Sequence, residues 1–217
     1  MSVKNFVNFL KTNTNTNIII VFLIIALGIG VFQISKKEYS YKIYRENVEL
    51  LYDGARADLV TSIDSIIRTV APSTCMNGLA ILKACEEYDI DLFFVLAQGQ
   101  LESHFGTKGM AAKTNSVFNV FAYDGHSYEK ISKNGKYKHP DLSLEPYMKL
   151  LKSRYLVNGK TEKDLMIKYV DCNGKRYASD KNYEDSLIGI YNKYITCKPL
   201  LCGYNTYLKY KILSGNH

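Results

Sequence analysis

The chain has 217 residues, of which 47% are hydrophobic and 23% charged, a balance that excludes a disordered chain and supplies one good core rather than two full domains. A formal charge of +7 calls for an acidic partner, and nucleic acid, anionic lipid and cell-wall polymer all qualify. The lysines and arginines that follow the N-terminal stretch are scattered from Lys36 to Lys211 without a paired finger or an aromatic RNP signature, which argues against nucleic acid, and no close Cys or His pairs suggest a metal site.

Residues 1–17 form a short leading segment that ends in a Thr-Asn alternation. Residues 18–34 carry neither charge nor proline and approach the ~17 to 20 residues that span a bilayer, so a transmembrane helix is expected there. The run exceeds the ~7 to 15 apolar residues of a signal peptide and lacks a good cleavage site, which favours an uncleaved anchor. Residues 35–72 read as a helical linker or stalk, with Val48, Leu51, Leu59, Ile63, Ile66 and Ile67 at helical spacing, a possible break at Gly54 and a stop before Pro72.

Residues 73–196 make up the main domain. Helices are expected at 76–88 and at 91–104, the second capped by Asp89 or Asp91 and stopped by Gly106. Residues 117–137 change character, and the Asp124-Gly125 and Asn134-Gly135 turns predict a small antiparallel sheet. Helical spacing returns at 143–157, 162–169 and 179–195, while residues 197–217 form a tail of ambiguous structure. The expected fold is therefore mainly α, a helical domain interrupted by one small antiparallel β lobe and preceded by a transmembrane helix. Of the five cysteines, Cys197 and Cys202 either close a small loop or stay reduced with the others.

The window LAQGQLESHFGT, residues 96–107, places Gln98 and Glu102 at i and i+4 on one helix face. A carboxyl group at a helix C-terminus feels the negative end of the dipole, and neighbours such as Phe105 desolvate it. Both effects raise its pKa, as a proton donor to a glycosidic oxygen requires. On spacing alone a solvated helix-end glutamate is the better reading.

LAQGQLESHFGT resembles the motif of cell-wall glucosaminidases of glycoside hydrolase family 73, in which a similar run carries the general acid. NSVFNV at 115–120 is similar to the family's Asn-Leu-Phe-Gly-Ile segment, and YASDKNY at 177–183 looks like its Tyr-Ala-Thr-Asp-Pro-x-Tyr, with Lys181 in place of proline. Three motifs in the family's order are far more specific than any one alone. The resemblance implies a lysozyme-like α+β fold, no cofactor, Glu102 as general acid and Tyr177 as a catalytic tyrosine, its hydroxyl expected in the groove across from Glu102 to stabilise the charge that develops on the sugar ring. It also implies Gln98, Asn115, Phe118, Asn119, Tyr123 and Tyr183 as residues lining the glycan groove, Tyr183 chiefly by packing. Glycosidases generally pair the acid with a second carboxylate. Glu129, on the second strand of the expected hairpin, is the first candidate, with Asp124 and Asp141 behind it; the substrate's own acetamido group is the alternative.

These readings imply a peptidoglycan hydrolase that cuts glycan strands after N-acetylglucosamine, anchored in a membrane with its catalytic domain facing the periplasm or cell wall, or carried in a virion. Lys36, Lys37, Lys42 and Arg45 just after the apolar run oppose that orientation by the positive-inside rule. Two other functions fit the same residues: a muramidase or lytic transglycosylase, and a non-catalytic wall-binding or virion protein.

Overall fold

The computed structural model describes residues 14–120 and 131–216, with side chains from residue 23 onward. The first helix, α1, runs from Thr14–Val70 without interruption. Gly54 does not break it, because Val48, Ala55, Leu59, Ile63 and Ile67 fall on one stripe that is buried by the rest of the chain. Tertiary burial of that stripe outweighs the ~1 kcal/mol by which glycine disfavours a helix. Pro72 ends α1 by disfavouring the helical conformation of the residue before it.

Helix α2 spans Gly78–Tyr88, its start capped by the Asn77 side chain, which accepts from Leu79 N at 2.8 Å. Gly78 N also donates to Asp64 Oδ1 at 2.8 Å, so α1 itself holds the start of α2. A Cβ at Gly78 would lie 3.0 Å from the Val60 carbonyl oxygen, which is why the crossing needs glycine. Helix α3, Leu92–Ser103, is capped by Asp91 through Phe94 N at 2.7 Å. Every residue from Leu92 to Gly99 is buried. A helix that is apolar all round has to lie inside the fold, and α3 is its axis.

The remaining helices wrap this axis. They are α4 (Ala111–Thr114), α5 (Leu144–Leu150, continued by a π-helical turn over Leu151–Tyr155), α6 (Glu162–Ile167), α7 (Tyr183–Ile195) and α8 (Lys198–Ser214). Helix α7 packs on α3, and α8 packs along α1. The segment expected to be an ambiguous tail is thus a helix whose Leu200 and Tyr207 are buried in the core. Tyr207 also donates to Glu86 Oε1 at 2.7 Å, beside the Arg56–Glu86 ion pair that joins α1 to α2. All five cysteines are free thiols; Cys202 lies inside α8 and Cys197 caps it, so no loop is closed between them.

Two expectations are overturned. No strand exists among the described residues, whose only β pairing is an isolated antiparallel bridge between Val170 and Arg176. Strand alternation fails at 117–120 because Val117, Phe118 and Val120 are all buried, and Asn119 turns the chain at φ 52°. The Asn134-Gly135 turn lies in a 3-10 segment, Lys133–Gly135. The centre of the expected hairpin, residues 121–130, lies outside the described residues.

The expected transmembrane helix is the second correction: among the described residues no helix is long and apolar enough to cross a membrane. Residues 18–34 belong to the start of α1, and the side chains of 18–22 lie outside the described set.

Because Leu200 is fully buried, Leu200→Ala should destabilise the protein by about 2 to 5 kcal/mol in urea unfolding. A change below ~0.5 kcal/mol would mean that α8 is peripheral to the core.

Candidate active site

Glu102 occupies the last turn of α3. The helix then ends abruptly: His104 and Phe105 take left-handed conformations at φ 47° and 53°, followed by Gly106 at φ 83°. Two consecutive non-glycine residues in this region cost of order 1 to 3 kcal/mol each and persist only where surrounding contacts impose them. Here Thr74 Oγ1 donates to the Phe105 carbonyl at 2.6 Å, and Ser103 Oγ donates to the Val117 carbonyl at 2.7 Å while accepting from Gly106 N at 2.8 Å. The reversal folds the Phe105 ring back onto α3 over Gly99, where a Cβ would sit 3.1 Å from the ring. The Leu-Glu-Ser-His-Phe-Gly run therefore ends the helix with its carboxyl group pinned between the core and the following loop.

Two groups hold the half-buried Glu102 carboxyl. Tyr183, the first residue of α7, donates its hydroxyl proton to Oε1, and Asn119 Nδ2 donates to Oε2 at 3.1 Å and to the Glu102 backbone carbonyl at 3.2 Å. Burial raises the carboxyl pKa above its ordinary 4.5, and the hydrogen bonds from Tyr183 and Asn119 offset this only in part. No cation and no second carboxylate among the described residues contributes to its environment.

Behind Tyr183 lies a buried polar cluster. Gln98, one turn before Glu102 and with no solvent exposure, donates from Nε2 to the Tyr183 hydroxyl at 3.2 Å. Its Oε1 accepts from Tyr169 at 2.9 Å and from Tyr147. Phe118 stacks on Tyr147 with ring centroids 3.8 Å apart, and Tyr177 stacks on Tyr169 at 4.5 Å. The Tyr177 hydroxyl donates to the Phe118 carbonyl at 3.0 Å, so the hydroxyl bonded to Glu102 belongs to Tyr183 and not to Tyr177.

The YASDKNY run is explained by this geometry. Asp180 Oδ1 accepts from Asn182 N at 2.9 Å and turns the chain, so that α7 begins with Tyr183 directed at α3. Buried Asp171 shapes the preceding loop by accepting from Asn173 N and Lys175 N, both at 2.9 Å. Glu184 accepts from Tyr169 N at 3.0 Å and pairs with Arg176, which fastens that loop to α7.

Of the residues expected at the site, the fold brings together Gln98, Glu102, Phe118, Asn119, Tyr177 and Tyr183. Gln98 is saturated by tyrosines inside the protein and is not presented to a groove. Asn115 ends α4 in a left-handed conformation and donates to the Tyr137 carbonyl at 2.9 Å, away from the carboxyl group. Asp141 accepts from Asn77 N at 3.0 Å and faces His139, which engages it at the start of α2. Tyr123, Asp124 and Glu129 lie outside the described residues. Tyr147 and Tyr169 were not foreseen as partners of this cluster. The signal was present, since a glutamine in the apolar run LFFVLAQGQL needs several polar partners from elsewhere in the chain.

Residues 78–196, more than half of the chain, match the family model described as Glucosaminidase, mannosyl-glycoprotein endo-beta-N-acetylglucosaminidase. The match covers α2 through α7 and so contains the whole cluster around Glu102. No curated protein and no solved structure matches the chain.

The raised carboxyl pKa has a thermodynamic consequence. The native state binds the Glu102 proton more tightly than the unfolded chain, so this group's contribution is present below pH ~4.5 and is lost as pH rises through the folded value. The stability of Glu102→Gln relative to wild type should therefore improve in thermal melts as pH rises from about 4.5 through the folded value, and level off above it. A difference that is flat with pH would contradict the raised value.

Proposed function

Given that the chain belongs to the glucosaminidase family and is thereby a glycoside hydrolase of the endo-beta-N-acetylglucosaminidase type, we propose that it cuts peptidoglycan glycan strands after N-acetylglucosamine, with Glu102 as general acid. The observation that carries this reading is the environment of Glu102: a half-buried carboxyl without a cationic neighbour, raised in pKa and held by Tyr183 and Asn119. A carboxylic acid whose pKa is raised keeps its proton to higher pH than an exposed glutamate and can deliver it to the leaving glycosidic oxygen as the C–O bond breaks.

The developing oxocarbenium charge needs a second group. Glu129 is the first candidate for a base that activates water on the opposite face of the sugar. The alternative is the substrate's acetamido oxygen, which attacks the anomeric carbon to form a cyclic intermediate that water then opens. Tyr177, stacked on Tyr169 and tied to the Phe118 carbonyl, supports the wall of the site. Asn119 clamps both the backbone carbonyl and the side chain of Glu102, which fixes the acid relative to the loop that follows. Such a substrate lies outside the cytoplasm, so the domain acts on the wall side of the membrane.

On purified peptidoglycan, Glu102→Gln should remain folded and lose about 10²- to 10⁴-fold in lytic rate, the usual worth of general acid assistance. Activity within a few-fold of wild type would refute the assignment. New reducing ends should be those of N-acetylglucosamine; ends of N-acetylmuramic acid, or anhydro products, would replace the proposed bond with that of a muramidase or lytic transglycosylase.

The two tyrosines should separate. Tyr183→Phe removes a donor to the acid and should lower kcat about ten-fold. Tyr177→Phe removes only the bond to the Phe118 carbonyl and should chiefly lower Tm. A kcat loss for Tyr177→Phe as large as that for Tyr183→Phe would give Tyr177 a direct part in the chemistry.

A further inference from the structure

A primary amide has two acceptor lone pairs and two N–H donors, and Gln98, fully buried in α3, has no water to satisfy them. Tyrosines from separate elements do so instead. Oε1 accepts from Tyr147 on α5 and from Tyr169 after α6, and Nε2 donates to Tyr183 on α7 at 3.2 Å. Each phenol carries one proton. Tyr147 and Tyr169 direct theirs to Oε1, which determines which end of the amide faces Tyr183. Nε2 then occupies a lone pair of the Tyr183 oxygen, and the Tyr183 proton goes to Oε1 of Glu102. Turning the amide over would set its N–H groups against the protons of Tyr147 and Tyr169.

We propose that Gln98 is the positioning residue of this site: through Tyr183 it keeps a donated proton on Oε1 of Glu102 and thereby confines the transferable proton to Oε2. The proposal rests on Glu102 being the general acid. Oε2 accepts one hydrogen bond from Asn119, at 3.1 Å, which leaves a lone pair on that oxygen for the acidic proton. The titratable groups whose environment couples to Glu102 are Tyr147, Tyr169, Tyr177 and Tyr183, all buried phenols with pKa values pushed well up, so none supplies a charge that would replace the relay. Gln98 touches neither the carboxyl group nor solvent and acts only through Tyr183.

The test uses the full chain and two variants. Gln98→Met removes the amide at nearly constant volume. Tyr147→Phe/Tyr169→Phe keeps the ring packing and frees Oε1 of Gln98, so that the amide turns over and draws the Tyr183 proton away from Glu102. The second variant carries the test if the first fails to fold. The Glu102 carboxyl is titrated directly by carbon-13 NMR, beside the pH profile of kcat, KM on a defined glycan fragment, and Tm.

Loss of a donor to the ionised carboxylate should move its titration, and the alkaline limb of kcat, up by about one pH unit. At the plateau kcat should fall about ten-fold with KM within about two-fold, as expected for an interaction that matters in the transition state. A lower Tm with an unmoved carboxyl titration in the folded variant would overturn the proposal, because it would reduce Gln98 to packing. The two readings fail separately. An active Glu102→Gln would remove the acid while leaving the titration result to judge the relay, and an inactive Glu102→Gln with an unmoved titration would remove the relay alone.

Discussion

A carboxyl group at the end of an apolar helix has to be both desolvated and kept in place, and the fold around α3 is organised by that requirement. Burial disfavours the charged form, while Tyr183 and Asn119 donate to it and limit the penalty. Neither donor is local: Asn119 follows α4, and Tyr183 opens α7. Their meeting at Glu102 requires α7 to pack on α3 and the chain after α3 to reverse within three residues, at His104, Phe105 and Gly106. The left-handed backbone there is imposed by contacts from Thr74 and Ser103 rather than by intrinsic preference.

Glu86 and Glu102 show how placement separates two chemically identical groups. Burial pushes both upward. At Glu86 the Arg56 guanidinium and the Tyr207 hydroxyl outweigh it and hold the carboxyl below its ordinary range. Glu86 is therefore a charged tie between α1, α2 and α8, and it loses the Tyr207 hydroxyl if α8 is removed. Glu102 has phenol and amide donors but no cation, so burial prevails and the proton is retained to higher pH. A structural ion pair and a candidate acid thus follow from one residue type in two environments.

The tyrosine abundance has a specific use in this arrangement. A phenol contributes a large ring to the core and one polar atom that must find a partner. Tyr147 stacks on Phe118, Tyr169 on Tyr177, and Tyr183 packs at a tilt against Tyr169 and Tyr177, while their hydroxyls are directed to Gln98, Glu102 or the Phe118 carbonyl. The cluster is apolar in bulk and polar along a single connected line, so it desolvates the carboxyl without leaving a buried hydroxyl unpaired around it.

Much of the helical domain was legible in residue spacing. The cap at Asp91 and the motif residues of 96–107, 115–120 and 177–183 are local features, and local features are what a linear pattern records; the end of α3 was not, since His104 rather than Gly106 turns the chain there. Spacing misled where packing decides: alternation at 117–137 predicted strands, but consecutive burial of Val117 and Phe118 and the turn at Asn119 exclude them there. The apolar run at 18–34 predicted a membrane span, whereas the described helix is not apolar for long enough. The tail could not be read because α8 is amphipathic only relative to α1, its partner more than a hundred residues earlier in the chain. The amino-acid order by itself determined that Glu102 ends an apolar helix. Only the tertiary structure decided that Tyr183 donates to it and that Gln98 orients Tyr183, because hydrogen bonds between residues some eighty positions apart depend on where α7 lands and leave no periodic trace.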